Sequence, residues 1–314
     1  MKKGEKVGKM QFNTTDRKQK PYEEVLDEYC ELCKRRGLAD ITIKGYRYST
    51  RYFNKFNDNN PIATNTILDY IKYLQDNNMK WTTINSYIRK LTPVLNHAFE
   101  MGYYPKVKVI YVKGQKEAKE IYTQEELKLL LERPKKKDFV NTRNWAMTWV
   151  FASTGIRRTE LINLKVCNVN LLERTLLLNK TKNKNARYVP ISSSLYDVLQ
   201  EYMQIRNGAN DDYLFPTVYN TKLATSSINK ELQEYNMSQN VLRTGVHKFR
   251  HTFITNAVNN NVNILLLKKI TGHSSTTTLS GYYNAKVNDM VDIIDTIAPK
   301  SDKKQSQFKK DKRK

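Results

Sequence analysis

Apolar residues recur at helical spacing through the first third of the chain. Tyr22, Val25, Tyr29, Leu32 and Cys33 follow an i, i+3, i+4 pattern, which predicts an amphipathic helix. A second helix is predicted from about Thr42, with Tyr46, Phe53 and Phe56 inward, and a third buries Ile67, Tyr70, Ile71 and Leu74. A fourth runs from about Thr83 through Ile84, Tyr87, Ile88, Leu91, Leu95 and Ala98, and stops at Gly102. Four helices on short loops predict a small bundle over residues 21–105.

The period is lost over residues 106–122, KVKVIYVKGQKEAKEIY, whose five lysines and one glycine read as a linker. Thr123 opens a new unit: Thr123 to Glu126 matches a capping box ahead of Leu127, Leu129 and Leu130. A helix over about Arg143 to Ser153 buries Trp145, Trp149 and Val150. Short β signals follow at 166–170, 175–179 and 186–191, the last two flanking a lysine-rich turn as a hairpin would. Helical patterns resume at Leu195–Ile205, Ile228–Tyr235, Arg250–Val258 and Asn263–Thr271. The fold class is mainly α with a small antiparallel β-sheet, its second domain spanning 123–286. No internal repeat is visible.

Composition narrows the class. The 314 residues suit two domains, and 39% hydrophobic content suffices for real cores. No run of eighteen apolar residues exists and the lysine-rich start has no apolar h-region, so neither a membrane span nor a secretory signal is expected. Three cysteines are too few for a disulfide framework, which fits a reducing, cytoplasmic setting. Cys30 and Cys33 form a lone CxxC within a helix and read as core packing, with no metal expected.

The charge is +23, from 54 Lys+Arg against 31 Asp+Glu, and points to a polyanion such as nucleic acid. Residues 1–20 hold seven basic and two acidic side chains, and residues 302–314 the same balance. Nearly half the excess therefore lies in a basic arm (1–20) and a basic tail (299–314), both without apolar periodicity and both expected to be disordered. The bundle is almost neutral, eleven against ten. Its first helix is acidic, whereas Lys44, Arg47, Arg51, Lys80, Arg89 and Lys90 come later, either as a DNA-binding face or as ordinary solvated surface.

Candidate chemistry is concentrated late in the chain. Three of the four histidines, His247, His251 and His273, fall within 27 positions that include Arg250 and end shortly before Tyr282 and Tyr283. Upstream stands Thr154-Gly155-Ile156-Arg157-Arg158-Thr159-Glu160-Leu161, and between them Lys180, Lys182 and Lys184 alternate along the hairpin turn. Arginines, a lysine, imidazoles and a phenol, without clustered carboxylates, suit phosphate chemistry that needs no metal or other cofactor. Guanidinium forks bind phosphate oxygens bidentately and keep their charge. A tyrosine hydroxyl can attack phosphorus to give a covalent intermediate.

In these boxes the chain resembles tyrosine recombinases of the phage-integrase type, the group spanning Xer-like resolvases and transposon integrases. The likeness covers almost the whole chain, with a SAM-like helical core-binding domain followed by a catalytic domain. The T-G-x-R-x-x-E-L box is Thr154–Leu161, the H-x-x-R box is His247–Arg250, and the G-H box is Gly272-His273. Phe249 and Thr271 stand where leucine is common and read as packing positions.

By this resemblance Arg157 and Arg250 clamp the scissile phosphate, and Glu160 orients Arg157. The nucleophile, nine residues after His273, is Tyr282, with Tyr283 as its rival. His247 takes the phenol proton, His273 donates to the phosphate, and Lys182, eight residues before Pro190, protonates the leaving 5′ oxygen. Lys180, Lys184 and Lys248 are phosphate contacts or bystanders, and His251 reads as a core histidine capping a turn.

Beyond the nucleophile, Val287, Met290, Val291, Ile294 and Ile297 trace one apolar face over 287–298. The resemblance implies that such a helix docks on a neighbouring protomer and couples a homotetramer on DNA. The expected partner is double-stranded DNA with paired or inverted-repeat sites, with room for an accessory directionality factor. The arm is short for a separate arm-binding domain, which favours a two-domain enzyme. Integration or excision of a mobile element is the first reading. Xer-like dimer or cointegrate resolution and a type IB topoisomerase-like enzyme are the alternatives. A non-enzymatic relic should have lost a catalytic position, and none is lost.

Overall fold

The computed structural model of the protein describes residues 19–58, 60, 62–63, 65–115, 119–136, 138–179, 186–273, 275–280 and 282. Lys180, Lys182, Lys184, Tyr283, the 287–298 helix, the 299–314 tail and nearly all of the basic arm lie outside these residues. The chain divides into two compact units, Met1–Glu117 and Ala118–Lys314.

The first unit holds helices α1 (Tyr22–Arg35), α2 (Asp40–Asn57), α3 (Thr66–Asp76) and α4 (Trp81–Glu100). Their apolar stripes meet in a core rich in tyrosine, where Phe53 takes Tyr22 and Tyr70 edge-on at centroid distances of 4.9 and 5.1 Å. Cys30 and Cys33 are buried free thiols within it. The segment after α4 departs from the linker expectation. Tyr104 and Val107 are buried in the bundle core, and Val109, Ile110 and Val112 pack on it. The Asn85 side chain clamps Val112 by donating to its carbonyl (2.9 Å) and accepting from its N–H (2.8 Å). Five lysines concealed a short apolar run (Val107, Val109, Ile110, Val112) whose side chains pack on the bundle, while Tyr111 stays exposed.

The second unit begins with α5 (Gln124–Leu131), whose capping box is complete: Thr123 Oγ1 accepts the Glu126 N–H and Glu126 accepts the Thr123 N–H. Helix α6 (Phe139–Thr154) is buried on all sides and packs against α5, α8 (Ser193–Arg206), α9 (Thr225–Ser238) and α10 (Val246–Asn259). Even its arginine is internal. Arg143 donates to Pro216 O at 2.6 Å and pairs with Glu231, tying α6 to α9.

The short helix α7 (Arg158–Leu161) leads to a three-stranded antiparallel sheet, β1 (Val169–Asn170), β2 (Thr175–Leu178) and β3 (Arg187–Pro190), in that order. Leu178 pairs with Arg187 at the end of the β2–β3 hairpin next to its turn. The last elements among the described residues are α11 (Ile264–Thr271) and α12 (Thr277–Ser280).

Gly155 ends α6 in the left-handed region (φ +59°), and a Cβ there would sit 2.5 Å from a Phe253 ring carbon. Gly155→Ala is therefore expected to cost about 1–3 kcal/mol, from overpacking added to an unfavourable φ. Urea denaturation measures this, and an unchanged midpoint would contradict it.

Candidate active site

The site is assembled around the C-terminus of α11. A helix end leaves its last carbonyls without intrahelical partners and carries partial negative charge. Here three successive carbonyls each accept from a different guanidinium. Arg187 Nε reaches Ile270 O at 3.0 Å, Arg250 Nη2 reaches Thr271 O at 2.7 Å, and Arg157 Nη2 reaches Gly272 O at 2.6 Å. Gly272, at φ +65°, turns the chain there, and a Cβ on it would collide with the Arg187 guanidinium at 2.7 Å.

Each arginine arrives on a different element. Arg157 occupies the N-cap position of α7 in extended conformation, just beyond the Gly155 turn. Arg250 lies on α10 beside Phe249, which turns inward against Tyr122 (4.4 Å between centroids), and it donates a further bond to Gly155 O at 2.7 Å. Arg187 opens β3 on the same side as the buried Val189.

One carboxylate balances the cluster. Glu160, only 3% exposed, accepts the Arg157 backbone N–H (2.7 Å), Arg157 Nη1 (2.9 Å) and both Nη atoms of Arg187 (2.8 and 2.9 Å). Burial alone would raise its pKa, but the Arg187 fork and the Arg157 N–H hold it below the usual carboxylate range. Arg250 is pulled down to about 10, first by burial and then by Arg157, and is still a cation at neutral pH.

The histidines are driven the other way from cations. His273 sits between Thr271 Oγ1 (2.7 Å from Nδ1) and Arg250 Nη2 (3.1 Å from Nε2). Since Thr271 Oγ1 donates to Leu267 O (2.6 Å), we assign the His273 proton to Nδ1 and leave Nε2 as the acceptor. Burial, then Arg250 and Arg157, lower this imidazole to about 4. His247, exposed in the first turn of α10, is lowered by desolvation and by Arg158 and Arg250.

Tyr282 follows α12, its ring packed with Ile254, Leu267 and Leu279. Its hydroxyl accepts from Lys119 Nζ at 3.1 Å, and it makes a short hydrogen bond with His251 Nδ1. The imidazole at the phenol is therefore His251, not His247. The two share a face of α10 at i, i+4, and Tyr282 meets the later turn. Reading His251 as a turn-capping core histidine is corrected by this contact.

The structure thus brings together Arg157, Glu160, Arg250 and His273, with Tyr282 beside them at His251. Lys182 lies outside the described residues, although Arg187, at the foot of its hairpin, is fixed in the site. Lys248 is ion-paired with Glu120. In the first unit Lys44, Arg47, Arg51, Lys80 and Arg89 are exposed. Arg47 pairs with Asp27, Arg51 lies over Tyr48 (4.1 Å) and Tyr52 (4.9 Å), and Lys90 lies over Tyr46 (4.9 Å).

Sequence reasoning missed Arg187, Lys119 and the polar task of Thr271. Arg187 left one signal, a cation on the inward parity of β3, which demands a buried partner. Among the described residues no group of His, Cys, Asp and Glu is arranged to hold a metal, and no helix is long and apolar enough to cross a membrane.

Residues 120–289 match the phage integrase family and residues 23–112 the phage integrase SAM-like domain. The chain is 25% identical to the tyrosine recombinase XerD of Oceanobacillus iheyensis over 283 residues, 85% of this chain and 95% of that one. It is 22% identical to the XerD of Staphylococcus haemolyticus over 295 residues, 89% and 100% of the two chains. Its fold is similar to that of the Tn1549 transposon integrase in complex with transposon right-end DNA (TM-score 0.74, 18% identity, 88% of this chain and 99% of that one). It is similar also to XerH bound to its difH substrate (TM-score 0.64, 20% identity, 85% and 83%). The chain belongs to the phage integrase family, the tyrosine recombinases of site-specific DNA recombination.

The depressed histidines set the acid stability. An unfolded histidine titrates near ~6.5, whereas folded His273 titrates at about 4. Between these values the unfolded chain binds more protons, so stability is full above about pH 6.5 and falls as the pH drops toward 4. His247 and His251 are lowered too and act in the same direction. Glu160, also lowered, stabilises above its unfolded pKa and adds a further loss as the pH falls through its folded one. His273→Gln should flatten the melting temperature against pH over this window in the DNA-free protein; parallel curves for variant and wild type would count against it.

Proposed function

We propose that this protein cuts and rejoins DNA strands through Tyr282, forming a 3′-phosphotyrosyl link and freeing a 5′-hydroxyl that a second strand's hydroxyl can replace. The observation that carries the reading is the convergence of Arg157 and Arg250 on adjacent carbonyls, Gly272 O and Thr271 O, with the Tyr282 hydroxyl held at His251, the residue after Arg250 on α10. Two fixed cations at one point stabilise the charge that builds on a phosphate under attack. His247 and His273 complete the groups around that phosphate, and Lys182 supplies the proton for the leaving 5′ oxygen. The phosphotyrosyl bond conserves the energy of the bond it replaces, so resealing needs no nucleotide cofactor.

Duplex DNA is the partner this reading requires, and its location in a cell is the cytoplasm. The α2–α4 surface, with Lys44, Arg47, Arg51, Arg89 and Lys90 and with Lys80 capping α4, contributes phosphate contacts, as do Lys180, Lys184 and Lys248. Tyr52 and Tyr87 stack on that surface with centroids 5.2 Å apart. An apolar groove lined by Ala152, Phe253, Ala257, Val262, Leu267 and Ile270 suits the apolar face of residues 287–298 from a neighbouring copy. Such an exchange supports a homotetramer on paired inverted repeats, with an accessory factor to set direction. Integration or excision of a mobile element is the favoured setting. The near full-length Xer relatives support dimer or cointegrate resolution as the second reading.

Binding sites can be selected from a randomised duplex pool with Tyr282→Phe protein, then rebuilt with a nick near the cleavage position. Wild-type protein should be trapped as a covalent adduct and Tyr282→Phe should form none. An adduct that persists in Tyr282→Phe and vanishes in Tyr283→Phe would falsify the nucleophile assignment.

Deleting residues 287–298 should leave single-site binding intact and weaken cooperative occupancy of paired sites. Gel-shift titration reads this directly, and unchanged cooperativity sinks the exchange.

A further inference from the structure

The Tyr282 hydroxyl is gripped from two sides by groups that no family box names. Lys119, just ahead of α5, donates to it at 3.1 Å and lies 4.2 Å over its ring. His251 Nδ1 meets it from α10. A phenol has one proton to give and lone pairs to receive, and an ammonium can only donate. With Lys119 on the lone pair, the phenol proton is left to point at His251 Nδ1. That assigns His251 as a neutral imidazole carrying its own proton on Nε2.

The surroundings keep the ring in that form. The charged and titratable groups facing it are His247 and Arg250 on α10, Lys119 ahead of α5 and Tyr282 beyond α12. Burial, followed by Lys119, His247 and Arg250, lowers its pKa below 6.5, so it is an available acceptor at neutral pH.

Resting on Tyr282 as nucleophile, we propose that His251 accepts the phenol proton during attack, while Lys119 holds the oxygen and stabilises its developing negative charge. The Tyr282 Oη–P bond forms as the P–O5′ bond breaks. The phenol proton passes to His251 Nδ1, and the departing 5′ oxygen takes a proton from Lys182. On resealing, the attacking 5′-hydroxyl returns its proton to Lys182 and the His251 imidazolium reprotonates the released phenolate. His251 is thus a catalytic residue that the spacing of the boxes passes over.

The test uses the nicked duplex described above and a copy whose bridging 5′ oxygen is sulfur, since a thiolate leaves without an acid. Asparagine places an amide near the position of Nδ1 but takes no proton in this range. His251→Asn should slow single-turnover adduct formation about 10²–10³-fold at pH 7. Sulfur should not relieve that defect, whereas it should relieve the defect of Lys182→Ala. The wild-type rate should climb with pH and level off once the imidazole is neutral. In His251→Asn it should keep climbing as hydroxide takes over.

A wild-type rate in His251→Asn, rescue by sulfur, or loss of the levelling only in His247→Asn would each overturn the proposal. Should His251→Asn fail to bind the duplex, Lys119→Met decides: slowed cleavage without sulfur rescue supports the proposal and a full rate removes it. No adduct with wild-type protein, or an adduct with Tyr282→Phe, marks the failure of the nucleophile reading itself and takes this proposal with it.

Discussion

Three guanidinium groups on three successive carbonyls at one helix end is the constraint around which the second unit is organised. Separately, Arg157, Arg187 and Arg250 would repel one another and lose hydration on burial. The C-terminus of α11 offers the compensation, because Ile270, Thr271 and Gly272 present carbonyls that the helix itself cannot satisfy. Glu160 supplies the only full negative charge that the described residues place in direct contact with the cluster, and it is shared between Arg157 and Arg187. Cations fixed in this way need little reorganisation when a phosphate arrives, which is where electrostatic catalysis gains most.

Much of the fold serves to bring those arms to one point. The all-buried α6 ends at Gly155, whose carbonyl receives Arg250 and whose turn delivers Arg157 two residues on. Phe249 anchors α10 against Tyr122 so that Arg250, its neighbour, emerges sideways toward α11. The β2–β3 register puts Arg187 at the foot of the hairpin that carries Lys182. Thr271 belongs to the same design. Where leucine would only pack, its hydroxyl bridges the helix carbonyl of Leu267 and the ring of His273.

What could be read from the chain, and what could not, divides by sequence distance. Arg157 with Glu160 is legible because the two lie within one turn, and the bundle is legible because its apolar period is local. Arg187 meets partners 27 and 83 positions away, and Lys119 meets Tyr282 across 163 positions. No local pattern reports such pairs. Composition also misled in one place: the lysines of residues 106–122 hid the apolar side chains of Val107, Val109, Ile110 and Val112 that pack on the bundle. The histidine spacing placed His247 and His251 on one face but could not say which of them the phenol reaches.

A division of labour between the two kinds of base follows from the same electrostatics. Arginine keeps its proton even where burial and neighbours pull Arg250 down to about 10, so it can supply only fixed charge. The imidazoles respond oppositely, because burial first, and then the field of the neighbouring cations, discourages a further cation. His247, His251 and His273 are all pushed below 6.5 and stand ready as neutral rings. A neutral ring can receive a proton, and the negative charge of a bound phosphate would ease that step by offsetting the surrounding cations. Of the chain's net charge of +23, then, the cations gathered at α11 are, together with burial, what keeps His273 neutral.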